Sequence, residues 1–362
     1  MKHIVTVGNL IKDLFMHHDT TDTLSLCCQQ HKQTFLVLEE GKKIELSTLK
    51  HHVGGGAANS ATACARLGNT VTLLAKVGTD VDADFLLQKL QKEHVKTDHV
   101  AQSNSHQTGI SFILPCSSGN RTILIYRGAN TTLIPTDIKS DIFAQKDGVY
   151  FSSLSGESAQ LFESLTHAAK KEGAIVALNP GSTHLVTQFP FITAALKNID
   201  IIIVNRSEAH TLLTQMQDAS HTCTVATTKQ TECPSLLSCQ SSLSEKFCFD
   251  LRTFFAKIHA SGPSLVVVTN GAEGVYVSDK KHIYFHKVIP TNVISTVGAG
   301  DAFAATFFSY LVNGYSIKIA TQAGMLNSSA VIQHVGPQIG LLTKQQLEEK
   351  LTLIDQSLFQ TF

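Results

Sequence analysis

The sequence predicts an α/β protein with a mostly parallel sheet, helices on both of its faces, and a small β-sheet lid. Short apolar runs alternate with longer segments of helical period along most of the chain. Two runs, Ile201-Ile202-Ile203-Val204 and Leu265-Val266-Val267-Val268, are apolar at every position, as strands buried on both faces are. Residues 14–50 and 106–127 break the rhythm with extended pieces and no helix between them, which predicts a separate accessory sheet.

The chain enters as a strand at Ile4–Val7, and Gly8 ends it. In the accessory regions the extended pieces are Thr34–Glu39, Ile110–Leu114 and Thr122–Tyr126, expected to pair into a small antiparallel lid. A glycine run, Gly54-Gly55-Gly56, opens a helix over 57–67 that stops at Gly68. Further strands are expected at Val71–Val77, Gly148–Leu154, Ile175–Leu178, Ile201–Val204 and Leu265–Thr269. Between and after them the pattern predicts helices over 82–94, 157–172, 206–216, 247–260, 316–333 and 343–357. Another helix starts near Asp301, where Phe303, Phe307 and Leu311 recur at four-residue steps and Gly314 stops it. Residues 217–246, rich in Ser, Thr, Gln and Cys, read as a polar surface insertion. Residues 1–362 are expected to form one domain.

Composition narrows the function classes. With 43% apolar residues the chain can bury a sizeable core. Lys plus Arg and Asp plus Glu balance at 29 each, which removes any global electrostatic argument for nucleic acid or anionic membranes. No apolar run approaches the ~20 residues of a spanning helix, and the first residues read as a strand rather than a signal peptide. The eight cysteines contain no CxxC pair and are expected to be reduced in a cytoplasmic protein. The 17 histidines show no HExxH or similar spacing, so solvated or structural histidines are the expectation.

Chemistry concentrates where strands hand over to helices. In Ser295-Thr296-Val297-Gly298-Ala299-Gly300-Asp301 a carboxylate follows three small residues at a helix start. Small residues let an anion approach the backbone, and the helix start offers free N–H groups and a positive dipole end. Such a cradle suits phosphoryl transfer; an ordinary N-cap aspartate is the alternative. Gly55 and Asn59 in the other glycine-rich start fit a polyol ligand, or tight helix–sheet packing. Asn205 and Glu208, three apart after a buried strand, fit the water shell of Mg²⁺ or a capping interaction. Thr269, Gly271 and Gly274 follow the next buried strand and fit a nucleotide or a plain turn. Asp13 falls at the same end of the sheet, where a ligand contact or an ordinary turn aspartate would fit. A P-loop is excluded because no GxxxxGK[ST] occurs, and Gly298 to Phe303 lacks the last glycine of a dinucleotide fingerprint.

Gly54 to Gly78, with Asn59, Ala61 and Gly68 in step, resembles the N-terminal signature of the ribokinase-like (PfkB) family of carbohydrate kinases. Thr296 to Phe303 resembles its C-terminal signature, and Asn205-Arg206-Ser207-Glu208 its NxxE motif. The resemblance implies a three-layer sandwich of about nine strands with a β lid, ATP as donor and Mg²⁺ as helper. It implies Asp301 as the base and the backbone of Gly298, Ala299 and Gly300 as anion hole. Asn205 and Glu208 would position Mg²⁺ through water, Thr269, Gly271 and Gly274 would flank ATP, and Asp13, Gly55 and Asn59 would hold the sugar. Ser295 and Val297 depart from the residues that help ribokinases hold a monovalent cation, which speaks against potassium activation. Ser155 stands near where ribokinases carry a sugar-binding Glu, which weakens a strict ribokinase assignment. A nucleoside kinase of the same fold and a catalytically silent sugar-binding regulator are the competing readings. Exposed lid edges would allow a homodimer through the lid.

Overall fold

The computed structural model describes residues 1–17, 22–28, 31–116, 121–216, 236–240 and 246–362; for 22, 27–28, 31–33, 236–240 and 246–249 it describes the backbone alone. Most of the expected insertion, 217–235 and 241–245, lies outside the described residues.

One sheet of 11 strands organises the molecule. From one edge its order is Phe359–Thr361, Ile283–Lys287, Gly274–Ser278, Leu265–Thr269, Ile201–Asn205, Ile175–Leu178, Gly148–Phe151, His3–Val7, Thr70–Gly78 and Val95–Lys96. Val100–Ser103 adds to Thr70–Gly78. Pairing is parallel from Leu265–Thr269 to Val95–Lys96, and antiparallel in the last three strands toward the Phe359 edge. The continuous apolar runs have the predicted cause. Ile201 and Ile203 face one core while Ile202 and Val204 face the other, so both faces need apolar side chains. The first core holds the helices Gly56–Arg66 and Ala299–Val312, and the second holds Phe162–Lys171 and Leu251–Ala260.

His3–Val7 pairs with Thr70–Gly78 on one side and Gly148–Phe151 on the other, so the chain leaves it in both directions. That is a topological switch point, where the carboxyl ends of strands open a crevice. Above it stands a separate four-stranded sheet of Arg121–Tyr126, Gly109–Pro115, Ile11–His17 and Thr48–Gly54.

Several boundaries and pairings differ from expectation. The lid is mixed rather than antiparallel, because Ile11–His17 and Gly109–Pro115 run parallel. The chain crosses the core between them and returns in the same direction. The 34–39 piece does not join this sheet: His31–Val37 pairs with its neighbour Asp22–Cys28 as a hairpin. The helix expected from 247 begins at Leu251, since Asp250 caps it and Lys246–Asp250 pairs with Leu236–Gln240. The strand expected over 148–154 ends at Phe151, and residues 157–161 form a 3₁₀ turn before the helix Phe162–Lys171. Strands at Val95–Lys96, Val100–Ser103, Gly274–Ser278, Ile283–Lys287 and Phe359–Thr361 are not expected from the sequence pattern and bring the sheet beyond nine. Among the described residues no helix is long and apolar enough to cross a membrane.

Candidate active site

Two helix starts meet at the switch point because small residues let them. Ala57, Ala58, Ala61 and Ala63 are fully buried along Gly56–Arg66, which packs on Ala299–Val312 through Ala304 and Ala305. At Gly324 a Cβ would come within 2.8 Å of the Phe303 ring, so a third helix closes on the second only through a glycine. Phe303 and Phe307 stack at 5.8 Å, one turn apart. Gly298 takes a left-handed φ of 81° before the helix, and a Cβ there would lie 2.6 Å from Pro337 Cα.

This packing sets Asn59 against Asp301. Asn59 Nδ2 donates to Asp301 Oδ2 at 2.7 Å, and Asn59 Oδ1 accepts from Gln338 Nε2 at 3.1 Å. The other oxygen, Asp301 Oδ1, faces Gly56, where even a Cβ would stand only 3.6 Å away. Burial lifts the Asp301 carboxyl from 3.8 to about 6, against the Asn59 hydrogen bond. The group is therefore ionised at neutral pH but basic enough to take a proton.

Asp13 projects from the lid strand Ile11–His17 and is buried. Burial raises its carboxyl to about 6, Ser111 Oγ donates to it and lowers it, and the charge of Asp301 raises it further. A Cβ on Gly54 would sit 2.0 Å from Asp13 Oδ2, so only glycine leaves room for that carboxylate. Gly55, with φ 91°, backs directly onto the Asn9 carbonyl. Asp13, Gly55, Asn59 and Asp301 thus lie in one group.

Asn205 and Glu208 make a reciprocal cap. Asn205 N–H donates to Glu208 Oε2 and Glu208 N–H donates to Asn205 Oδ1, both at 2.9 Å. Ser182 Oγ donates to Glu208 Oε1 at 2.9 Å. Burial raises the Glu208 carboxyl above its ordinary value, and the charge of Asp301 adds to it. The capping alternative is therefore realised, and it fixes a buried carboxylate that feels Asp301. Among the described residues no three His, Cys, Asp or Glu side chains cluster as a metal cage. Glu208 still has lone pairs free, and a carboxylate facing hydrated Mg²⁺ on a phosphate chain fits that ion's preference for retained water.

Beside the cradle lies a mostly apolar cavity of about 420 Å³. Thr269, Gly271, Gly274, Ala299 and Gly300 line one part, so three expected nucleotide residues meet two of the expected anion hole. Gly271 has φ 52° and Gly274 φ 129°, and a Cβ on Gly274 would collide with the His286 carbonyl. Val288, Ile289 and Val293 from the loop after Ile283–Lys287, with Met325 and Ile332 near the end of Ile317–Val331, complete it. Nothing in their local pattern marked them, because they are ordinary apolar residues from distant elements. Sequence reasoning also missed Ser111, Ser182 and Gln338, which hold the functional side chains, and Arg121, whose Nη1 reaches from the lid to Thr296 Oγ1 at 2.6 Å. Val297 packs with Phe15 and Ile113 of the lid.

Comparison with known proteins adds an independent line. Residues 22–236 and 250–344 match the sequence profile described as pfkB family carbohydrate kinase. A ribokinase of Staphylococcus aureus is 27% identical over 328 residues, covering 87% of this chain and 95% of the relative. The Arabidopsis thaliana ribokinase solved with ribose and ATP superposes with a TM-score of 0.74 at 22% identity, over 97% of this chain and 98% of that one. A nucleoside kinase of Methanocaldococcus jannaschii superposes with a TM-score of 0.73 at 17% identity, over 98% of this chain and 99% of that one.

Proposed function

The chain belongs to the pfkB family of carbohydrate kinases, and from that premise we propose that it moves the terminal phosphoryl group of ATP to a hydroxyl of a small sugar. The observation that carries the reading is Asp301: a carboxylate raised to about 6, one oxygen held by Asn59 and the other left facing Gly56, at the start of a glycine-rich helix.

The roles follow from position. Asp301 Oδ1 takes the proton of the attacking hydroxyl as the new O–P bond forms. The N–H groups of Gly298, Ala299 and Gly300 have no carbonyl within the helix to reach, that of Ala299 making only a long 3.4 Å bond to the Thr296 carbonyl before it, and they stabilise charge on the transferring group. Thr269, Gly271 and Gly274 flank the nucleotide in the apolar cavity. Asp13, Gly55 and Asn59 bind the sugar, and the lid above them excludes water that would otherwise hydrolyse ATP. Mg²⁺, when bound, neutralises charge on the phosphates, with Asn205 and Glu208 orienting its water shell. Val297 offers the lid an apolar contact where a cation site would need an oxygen, which supports activity without potassium. Use of ATP fits the cytoplasmic location expected from the sequence.

A sugar is favoured over a nucleoside by the face of the lid that carries Asp13. Register places Ser111, Ile113, Ile123 and Ile125 on that face, and among the described residues it exposes no Phe or Tyr to stack a base. Exposed Leu49 and Leu124 elsewhere on the lid support a homodimer through it. The test is ADP release with ribose, fructose and adenosine as acceptors. A sugar-dependent rate supports the reading; turnover confined to adenosine replaces it with the nucleoside reading, and binding without turnover with the silent regulator.

A further inference from the structure

Arg127 is a cation that the reaction described above does not use. It directly follows the lid strand Arg121–Tyr126. Ile125 pairs with Ser111, and Ser111 with Asp13, so the alternation of the strand carries Arg127 to the same face. Its backbone is pinned: the Arg127 carbonyl accepts from Asn130 N and from Asn130 Nδ2, at 3.2 and 3.0 Å. Asn130 is buried and grips Leu10 through both its amide atoms.

The guanidinium is poorly compensated. Among the described residues no carboxylate lies within ion-pair distance, and its hydrogen bond is from Nη1 to Ser155 Oγ at 3.0 Å. Ser155 is itself buried and fully engaged, accepting from Asn9 Nδ2 at 3.0 Å and meeting His184 Nε2 at 3.1 Å. His184 is 4% exposed, its Nδ1 has no partner, and burial followed by the charge of Arg127 lowers it to about 4. The histidine is therefore neutral, and the group carries one net positive charge. Burial also lowers Arg127 below its ordinary value. Arg127 is half-buried, and with one of its five N–H donors bonded to Ser155 it keeps donors free for an anion.

The place of this group is specific. Asn9, which holds Ser155, has its carbonyl 2.3 Å from where a Cβ of Gly55 would stand. The next residue, Gly56, is the one that Asp301 Oδ1 faces. We propose that Arg127 reads an anionic group on the acceptor, a carboxylate or phosphate ester on the sugar, and so selects charged sugars over neutral ones. The planar fork of arginine matches either group in a two-point contact, and the pinned backbone holds that fork in place before binding.

This inference rests on the sugar-kinase reading, and its test separates the two. Full-length protein with Mg²⁺ and ATP is assayed for ADP release with ribose, ribonate and ribose 5-phosphate. The wild type is expected to favour an anionic acceptor over ribose by about 10-fold or more in kcat/KM. Arg127→Gln is expected to lower that preference by about 10-fold or more, to near parity, and Arg127→Lys to restore part of it. The two anions tell a carboxylate from a phosphate ester. A wild type that prefers ribose, or a preference unchanged in Arg127→Gln, overturns the proposal while leaving the kinase standing. If none of the three is turned over, thermal shifts with ribonate and ribose 5-phosphate still decide about Arg127. A rise in Tm lost in Arg127→Gln upholds its role, and no rise with either anion overturns it.

Discussion

Asp301→Asn removes a charge and leaves the shape, so it separates the chemistry of the carboxylate from its place in the packing. The amide oxygen of Asn can still accept from Asn59 Nδ2, which now bonds Asp301 at 2.7 Å. What disappears is a proton acceptor, and positioned bases contribute about 10²–10⁴-fold to rate. The same change acts on stability with opposite sign. A carboxyl lifted from 3.8 to about 6 binds its proton more tightly folded than unfolded. The penalty for holding it ionised is absent below about pH 4, grows as pH rises to about 6, and is complete above. Its full size is about 3 kcal/mol. The variant should then be more stable than the wild type by about 1–3 kcal/mol at pH 8, with the gain shrinking toward pH 4. Urea unfolding at pH 4.5 and 8, beside kcat/KM from ADP release, measures both. A variant with near wild-type kcat/KM would refute the base assignment. One less stable than the wild type at pH 8 would refute the electrostatic reasoning even if activity were lost.

Three further outcomes follow from the same geometry. Wild-type kcat/KM should fall as pH drops below about 6, because Asp301 and Asp13 both take up protons there; a flat rate profile down to pH 5 contradicts this. Gly54→Ala puts a methyl 2.0 Å from Asp13 Oδ2, so the acceptor KM should rise about 10-fold or more while the KM for ATP stays within about twofold; equal effects on both contradict the assignment. Replacing K⁺ by tetramethylammonium at constant ionic strength should leave kcat unchanged, and a strong dependence on K⁺ would show that Ser295 and Val297 do not exclude the cation.

Much of the core was legible because its signals are local. Ile201–Val204 had to be apolar at every position to serve two cores, and the Asp301 helix announced itself through Phe303, Phe307 and Gly314. The lid was harder. Its pairing of Ile11–His17 with Gly109–Pro115 joins segments about a hundred residues apart, and no local period encodes which distant strand runs parallel. The helix expected from 247 failed at its start because strand pairing outweighed helical period until Asp250 supplied a cap. In the site, residues with distinctive chemistry stood out in the chain, whereas their supports did not. Ser111, Ser182 and Gln338 are common polar residues whose meaning lies only in which side chain they reach.

The most direct test of the account is a crystal structure of the protein with a non-hydrolysable ATP analogue, Mg²⁺ and an acceptor sugar. The account predicts a sugar hydroxyl within about 2.6–3.2 Å of an Asp301 carboxylate oxygen, and the terminal phosphate at the N–H groups of Gly298, Ala299 and Gly300. A nucleotide bound away from this helix start, or an acceptor with no hydroxyl in reach of Asp301, would contradict it.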